Sequence, residues 1–203
     1  MNPDHLSVVS VDVLALHYDQ GTGTLRLAVP PRTREPFLGT SALPGVVVMS
    51  GERLADAAAR AIAKFTDQTP VAIGQLRTFD EPVRDPRGPS LSIAIHAVLP
   101  ELDEIVSVAL GGELPALGFD HADIIAGCLP LLASKFLTDV EFTRALLPDP
   151  FTSVDARNIV TALTGAEPHM GNLNRALDAL PGAKKVGSVS RGRGRPTVVR
   201  SFD

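Results

Sequence analysis

The chain has a single cysteine, Cys128, so no internal disulfide can brace the fold and stability must come from packing alone, as in a reducing compartment. Tryptophan is absent. No run of 18 or more uninterrupted apolar residues occurs, which argues against a membrane-crossing helix. The start, Met1-Asn2-Pro3-Asp4, lacks the basic n-region of a signal peptide, and a cytoplasmic protein is the resulting expectation. His5, His17, His96, His121 and His169 are scattered, with no two at i, i+3 or i+4 and no cysteine pair beside them, so no zinc-type metal site is expected. There is no Gly-x-Ser-x-Gly elbow and no P-loop.

What is present is a composition for folding: 203 residues, 44% apolar, with 17 glycines and 17 prolines, enough for one compact domain or two small ones. Disorder does not fit it. The net charge of −4 hides an asymmetry. Residues 1–168 carry 12 basic against 21 acidic side chains, whereas residues 169–203 carry 7 against 2. The chain is an acidic body with a basic tail.

Alternation of Val9, Val11, Val13 and Ala15 with Ser10, Asp12 and Leu14, a turn at Asp19–Gly23, and Leu25, Leu27 and Val29 beyond it predict a β-hairpin over residues 6–30. A short strand is predicted at 42–48. Leu54, Ala57, Ala58, Ala61, Ile62 and Phe65 follow the spacing of an amphipathic helix. Two further strands are predicted at 71–79 and 91–99, with a Pro-rich loop between them, and residues 100–118 read as a surface excursion without pattern. Asp120 is placed to cap a helix starting at His121, which Pro130 should kink or interrupt.

Leu147-Pro148-Asp149-Pro150 is the best domain boundary, dividing the chain into residues 1–148 and 149–203. Beyond it, Thr152 or Ser153 can cap a helix that stops at Gly165; a second helix covers about 170–180; and two short β runs, 184–189 and 197–202, flank Arg191-Gly192-Arg193-Gly194-Arg195-Pro196. Helix, turn, helix and basic hairpin are the outline of a winged helix.

The segment Leu43 to Phe65 resembles the Nudix box of hydrolases that act on nucleoside diphosphates linked to another group. Glu52 and Arg60 stand at the separation that pattern requires, with Ile62 at its aliphatic position. The three carboxylates due after Arg60 are Ala61, Lys64 and Phe65, and the second glycine of the turn is Val46. Mg²⁺ needs hard oxygen ligands, so an alkyl group, an ammonium and a phenyl ring in their place remove the metal site. No Nudix-type hydrolysis is expected, and Glu52 reads as a helix-start residue complementing the dipole.

Outside the box, Gln75 through Gly88 resembles the signature of Nudix-related transcriptional regulators of the NrtR type. Glu35-Pro36-Phe37, Gly118-Phe119-Asp120-His121, Leu146-Leu147-Pro148 with Phe151-Thr152, and Leu163-Thr164-Gly165 with Asn172, Arg175 and Gly194-Arg195-Pro196 extend the likeness over nearly the whole chain. The resemblance implies an α+β protein: a Nudix-like α/β/α sandwich that senses a nucleotide, typically ADP-ribose, followed by a C-terminal winged helix-turn-helix. It also implies a homodimer built through the Nudix-like domains, binding a palindromic double-stranded DNA operator and repressing genes of NAD metabolism.

Lys184, Lys185, Arg191, Arg193, Arg195 and Arg200 fall within an acid-free stretch and are the candidate phosphate contacts. A solvated basic tail is the plain alternative. Asn172, Asn174 and Arg175, near the start of the second helix, are the candidate base readers. The resembled family carries three more basic residues here, so affinity is weaker, the wing carries more of it, or the operator differs. Candidate ligand contacts are Arg32, Arg60, Arg77, Phe79, Arg84 and Arg87, cations for a diphosphate and a ring for stacking. Arg84 and Arg87 read equally well as clamps that pair with loop carboxylates. His121 reads as structural. Two rival functions stay open: a divergent hydrolase using Asp80, Glu81 or Asp85 for metal, and a regulator that has lost its small-molecule input.

Overall fold

The structure, a computed structural model, describes residues 7–189 and 196–203. Its central element is β1 (Val8–Asp19), twelve residues long: the apolar-polar alternation covers its first half, and beyond Val13 the successive apolar residues Leu14, Ala15 and Leu16 are buried on both faces of the sheet. β1 turns at Asp19–Gly23 into β2 (Thr24–Ala28), pairing Leu16 with Leu27 and Asp19 with Thr24, as the hairpin reading requires. The Asp19 carboxylate closes the turn by accepting from Gly21 N and Thr22 Oγ1, at 2.8 and 2.7 Å, and its pKa is lowered by the Thr22 hydroxyl above all.

The first half of β1 carries β3 (Gly45–Val47) as an antiparallel partner. Its other edge runs parallel to β5 (Ser90–Val98), from Val8 opposite Ser90 to Leu16 opposite Val98. β4 (Ala72–Phe79) lies antiparallel outside β5, with a bulge between Gln75 and Arg77. On the far side, β6 (Ser107–Ala109) closes the sheet against β2 and gives the order β4-β5-β1-β2-β6. The patternless excursion expected over 100–118 therefore contains a sheet-edge strand. Three residues are too short for periodicity to register.

The two faces of β1 bury different layers. Val11, Val13 and Ala15 pack with Ala57, Ala58, Ala61 and Ile62 of α1 (Leu54–Ile62), whose small residues let the helix lie close on the sheet. Leu14, Leu16 and Tyr18 face α2 (His121–Lys135) and α3 (Val140–Leu146). Helices thus cover both faces of the sheet.

α2 continues through Pro130 without the interruption that is one of the two outcomes expected there. A proline forfeits one backbone bond, here that to the Ala126 carbonyl, and burial of Ile124, Ile125, Cys128 and Leu132 outweighs the loss. Cys128 is a buried filler, its thiol pushed up to about 11 by burial. α3 carried no sequence signal beyond Asp139, which caps it by accepting from Phe142 N at 3.1 Å.

After Pro150 the chain forms β7 (Phe151–Thr152), α4 (Ser153–Thr164), α5 (Met170–Ala179), β8 (Ala183–Val189) and β9 (Thr197–Phe202). Thr152 and Asp155 build a reciprocal capping box, and Gly165 ends α4 in the left-handed region at φ 71°. The hairpin β8–β9 is as expected, but β7 adds a third strand, giving the order β7-β9-β8. Across the Leu147–Pro150 connector the apolar core does not break: Leu25 and Leu27 belong to the same buried cluster as Ile159, Leu163 and Leu177.

Candidate functional site

A cleft of about 380 Å³ opens between the loop after β2, the turn before β3 and the end of α1. Arg32 and Arg34 come from the first, Leu43 and Pro44, with Gly45 as the first residue of β3, from the second, and Ala61, Lys64 and Phe65 from the third. The three positions that replace carboxylates thus line this cleft together, because spacing of i, i+3 and i+4 puts them on one side of the helical turn. None of the residues lining it is acidic, and among the described residues no group of three or more His, Cys, Asp or Glu side chains is placed to hold a metal ion.

Glu52 and Arg60 pair with each other, and neither lines the cleft. Arg60 Nε and Nη2 donate to the two oxygens of Glu52 at 2.9 and 2.8 Å, and Nη2 also reaches Val47 O at 2.8 Å. Glu52 accepts Met49 N–H at 2.8 Å, and the Arg60 hydrogen bond first, then that backbone bond, lower its carboxyl to about 2. This corrects the reading of Glu52 as a helix-start residue: the N-cap is Arg53, without a side-chain bond, and Glu52 ties the preceding turn to α1. Arg60, a candidate ligand contact, is committed to the same clamp.

Arg84 is not in the cleft. Its side chain is 4% exposed, with Nε and Nη2 on the Asp120 carboxylate at 2.9 and 2.8 Å and Nη2 on Asp12 at 3.3 Å. Asp12 also accepts from Ser92 Oγ at 2.5 Å, and His121 Nε2 lies 3.5 Å from its other oxygen. His121 Nδ1 accepts Leu43 N–H at 2.8 Å, and burial lowers its pKa, so it is the neutral ring with its proton on Nε2. Asp120 is therefore the Arg84 partner and not the side-chain cap expected for α2. Arg84 fits the clamp reading, although its carboxylates lie outside its own loop.

Arg87 pairs with Asp85, Nη2 to Oδ2 at 2.6 Å, the loop clamp anticipated from sequence. Its guanidinium lies 5.4 Å from the Phe119 ring centroid, and that of Arg32 lies 4.6 Å from it. Phe37 meets the same ring edge-on at 4.9 Å, where Gly118 leaves room, since an added Cβ would fall 3.1 Å from Phe37 Cβ. Arg32 donates from Nε to Pro36 O at 2.7 Å and carries a lowered pKa, from burial first and then from Arg87. Arg77 sits over the Phe79 ring at 5.0 Å, and that ring packs at Gly127 of α2. Of the six candidate ligand residues, only Arg32 lines the cleft. Sequence reading missed Arg34 and Lys64; Lys64 is legible as the loss of an anion and, equally, as the gain of a cation.

In the C-terminal part, Asn172 and Arg175 stand exposed on α5, Arg175 Nη2 donating to Asn172 Oδ1 at 2.5 Å. Asn174 is partly buried, bonded to Met170 O and to Arg200. Arg200 is 2% exposed, its Nε and Nη2 on Asp178 at 3.0 and 2.7 Å. That burial corrects its assignment as a phosphate contact: its side chain joins β9 to α5. Lys185 and Lys184 are exposed and paired with Asp178 and Asp203, each at 2.7 Å. Arg191, Arg193 and Arg195 lie outside the described residues.

No protein-family model matches the chain. It is 35% identical over 106 residues to the ADP-ribose pyrophosphatase of Methanocaldococcus jannaschii, a match covering 46% of this chain and 60% of the relative. The chain thus spans less than two thirds of that relative's length. NrtR of Shewanella oneidensis, solved with a 27mer DNA, superposes with a TM-score of 0.75 at 23% identity, over 96% of this chain and 93% of that one. The NUDIX domain of the same NrtR, solved with ADP ribose, superposes at 0.54 with 25% identity, over 65% and 94%. The chain therefore has the mixed α+β Nudix fold, a central sheet between helices.

Proposed function

We propose that this chain is a cytoplasmic DNA-binding transcriptional regulator whose Nudix-like part, residues 1–148, binds a nucleotide effector such as ADP-ribose without hydrolysing it. In this reading residues 149–203 are a winged helix, with α5 as the major-groove element and the β8–β9 hairpin as the wing. A homodimer presents two of them to a palindromic operator and represses genes of NAD metabolism. The observation that carries the reading is a cleft in a diphosphate-binding fold that has Ala61, Lys64 and Phe65 where hydrolysis needs carboxylates and is lined by Arg32, Arg34 and Lys64 with no acid. The helix pair and basic hairpin, and the likeness to a DNA-bound protein over 96% of the chain, support the second half. Asn172 and Arg175 are proposed to face bases, and Lys184, Lys185, Arg191, Arg193 and Arg195 to face phosphates.

A gel-shift titration with candidate operators, with and without ADP-ribose, tests this reading. Binding that ADP-ribose shifts is expected; tight binding that it leaves unchanged removes the effector. The rival, a divergent hydrolase, is favoured by the 35% identity to a pyrophosphatase. Its candidate acid Asp85 is held by Arg87, which lowers its pKa. Mg²⁺-dependent release of AMP from ADP-ribose, above a protein-free control, would establish the rival.

A further inference from the structure

We infer that the cleft binds the phosphates of its ligand directly, through Lys64 with Arg32 and Arg34, and uses no divalent cation to do so. The inference rests on the reading of residues 1–148 as a nucleotide sensor and adds to it the chemistry of the contact.

Proteins of this fold that hydrolyse diphosphates hold Mg²⁺ on carboxylates of the helix that is α1 here, as the box pattern implies. The donor set of this chain does not fit that ion. Ala61 and Phe65 offer carbon, Lys64 offers an ammonium, and the cleft is lined by no acid at all. Glu52, the remaining acid of the pattern, has both oxygens engaged by Arg60. A divalent cation brought here would meet positive charge and no anionic ligand.

The same replacements suit an anion. Lys64 Nζ spends one bond on Gly45 O, at 3.0 Å, and that anchor sets the ammonium beside the turn before β3. An ammonium has three donors, so the anchor leaves capacity for a phosphate oxygen. The Lys64 pKa is lowered by partial burial first and then by Arg60, Arg34 and Arg32, so several cations share this corner. Crowded like charges that cost stability in the free protein are repaid when an anion enters.

Gly45 contributes by its lack of a side chain. A Cβ there would fall 2.3 Å from Asp12 Oδ1, so glycine lets the turn sit against the buried Asp12–Arg84–Asp120 cluster and keeps its carbonyl aimed at Lys64. Arg32 is positioned by Pro36 O and the Phe119 ring. The floor of the cleft is thus fixed from two sides before any ligand arrives, which lowers the ordering cost of binding.

Isothermal titration of the full chain with ADP-ribose, and separately with inorganic pyrophosphate, each in excess EDTA and in excess Mg²⁺, tests the inference. Binding is expected in EDTA, and Mg²⁺ should leave it unchanged or weaken it by competing for the phosphates. Lys64→Ala should weaken it by on the order of tenfold or more, the loss of one charge-assisted hydrogen bond. Lys64→Arg should keep most of the affinity, and Lys64→Gln, which keeps a polar side chain, should behave as Lys64→Ala; unfolding temperatures of all three identify any misfolded variant.

Binding that appears only with Mg²⁺, a Lys64→Ala protein that binds as tightly as its parent, or no heat from either probe in EDTA would overturn the inference. Pyrophosphate bound in EDTA with ADP-ribose not bound supports the inference while removing ADP-ribose as the effector. Both bound with no change in DNA affinity supports the site and removes the regulatory reading.

Discussion

Arg84 shows how one side chain can hold a site that it does not enter. It joins Asp12 on β1 to Asp120 at the start of α2 and pins the loop 81–87 between them, with His121 completing the contact to Leu43. Removing the guanidinium strands two carboxylates, so Arg84→Ala should cost about 3–5 kcal/mol in urea unfolding. Arg84→Lys should recover only part of it, because an ammonium cannot bridge both acids with the fork geometry. An Arg84→Ala protein as stable as its parent would show that the cluster contributes nothing. Why the motif Gly118-Phe119-Asp120-His121 takes this form now has a physical answer, one residue at a time: room for Phe37, a ring under Arg32, a partner for Arg84, and an acceptor for Leu43 N–H.

His96 makes a prediction in pH. It is buried on β5 against Phe142 and close to Gly74, its Nδ1 has no partner among the described residues, and burial, with a smaller contribution from Lys135, lowers its pKa to about 4. The unfolded ring takes up a proton near its usual 6.5 and the folded ring only near 4, so between these values the unfolded state binds more protons. Stability from this group is complete above the unfolded value and is lost as pH falls toward 4, by about 3 kcal/mol in all. Urea midpoints taken across that window should show the loss, and His96→Leu should flatten it whatever it does to absolute stability. An unchanged slope would assign the acid sensitivity to another group.

At the scale of elements, the sequence made long periodic segments legible, and a short one only where an apolar run marked it, as at β3. β1, β2, β4, β5, α1, α2, α4 and α5 all lie where spacing and caps put them, because each repeats its pattern for at least five residues. β6 and β7, of three and two residues, exist through pairing to β2 and β9, which no local signal records. Arg200 misled for a related reason. Its place in a basic run says nothing of Asp178, 22 positions earlier on α5, that draws it inward. The cleft was half legible: the box spacing found its helix, but the cations Arg34 and Lys64 gain meaning only when the loop after β2 brings Arg34 to the same cleft as Lys64. Thr152, whose hydroxyl accepts from Val154 and Asp155 N–H, is legible in full, and Thr152→Ala should lower stability by about 1 kcal/mol. A loss below a few tenths would mean that the box is redundant with the β7–β9 pairing.

At the scale of the molecule, the expected boundary at 148 is crossed by contacts as well as by chain. Tyr18 Oη donates to Asp155 Oδ1 at 3.2 Å and accepts from Asn158 Nδ2 at 3.3 Å, while Gln20 Nε2 reaches Pro150 O at 3.1 Å. The tip of the first hairpin therefore rests on α4, and burial raises the Tyr18 phenol to about 12, keeping it neutral. β2 runs from that tip toward the loop that bears Arg32 and Arg34, so one strand links the cleft to the first helix of the C-terminal part. With one apolar cluster spanning both, calorimetry should show a single unfolding transition. Two well-separated transitions would contradict a shared core.

The basic stretch makes its own prediction at this scale. Replacing Arg191, Arg193 and Arg195 together with Ala should weaken DNA binding at all sequences and flatten its dependence on salt, since each phosphate contact contributes about −0.9 to the logarithmic slope. An unchanged slope would move the phosphate contacts elsewhere.

The central claim is that this Nudix fold converts a bound nucleotide into a change of DNA affinity without chemistry on the nucleotide. It is tested most directly by titrating ADP-ribose, with Mg²⁺ present, into a complex of the full chain with fluorescent operator DNA, following anisotropy and then separating the nucleotides. The account predicts a shift in DNA affinity with ADP-ribose recovered intact. AMP accumulating above the protein-free control, with anisotropy unmoved, would contradict it.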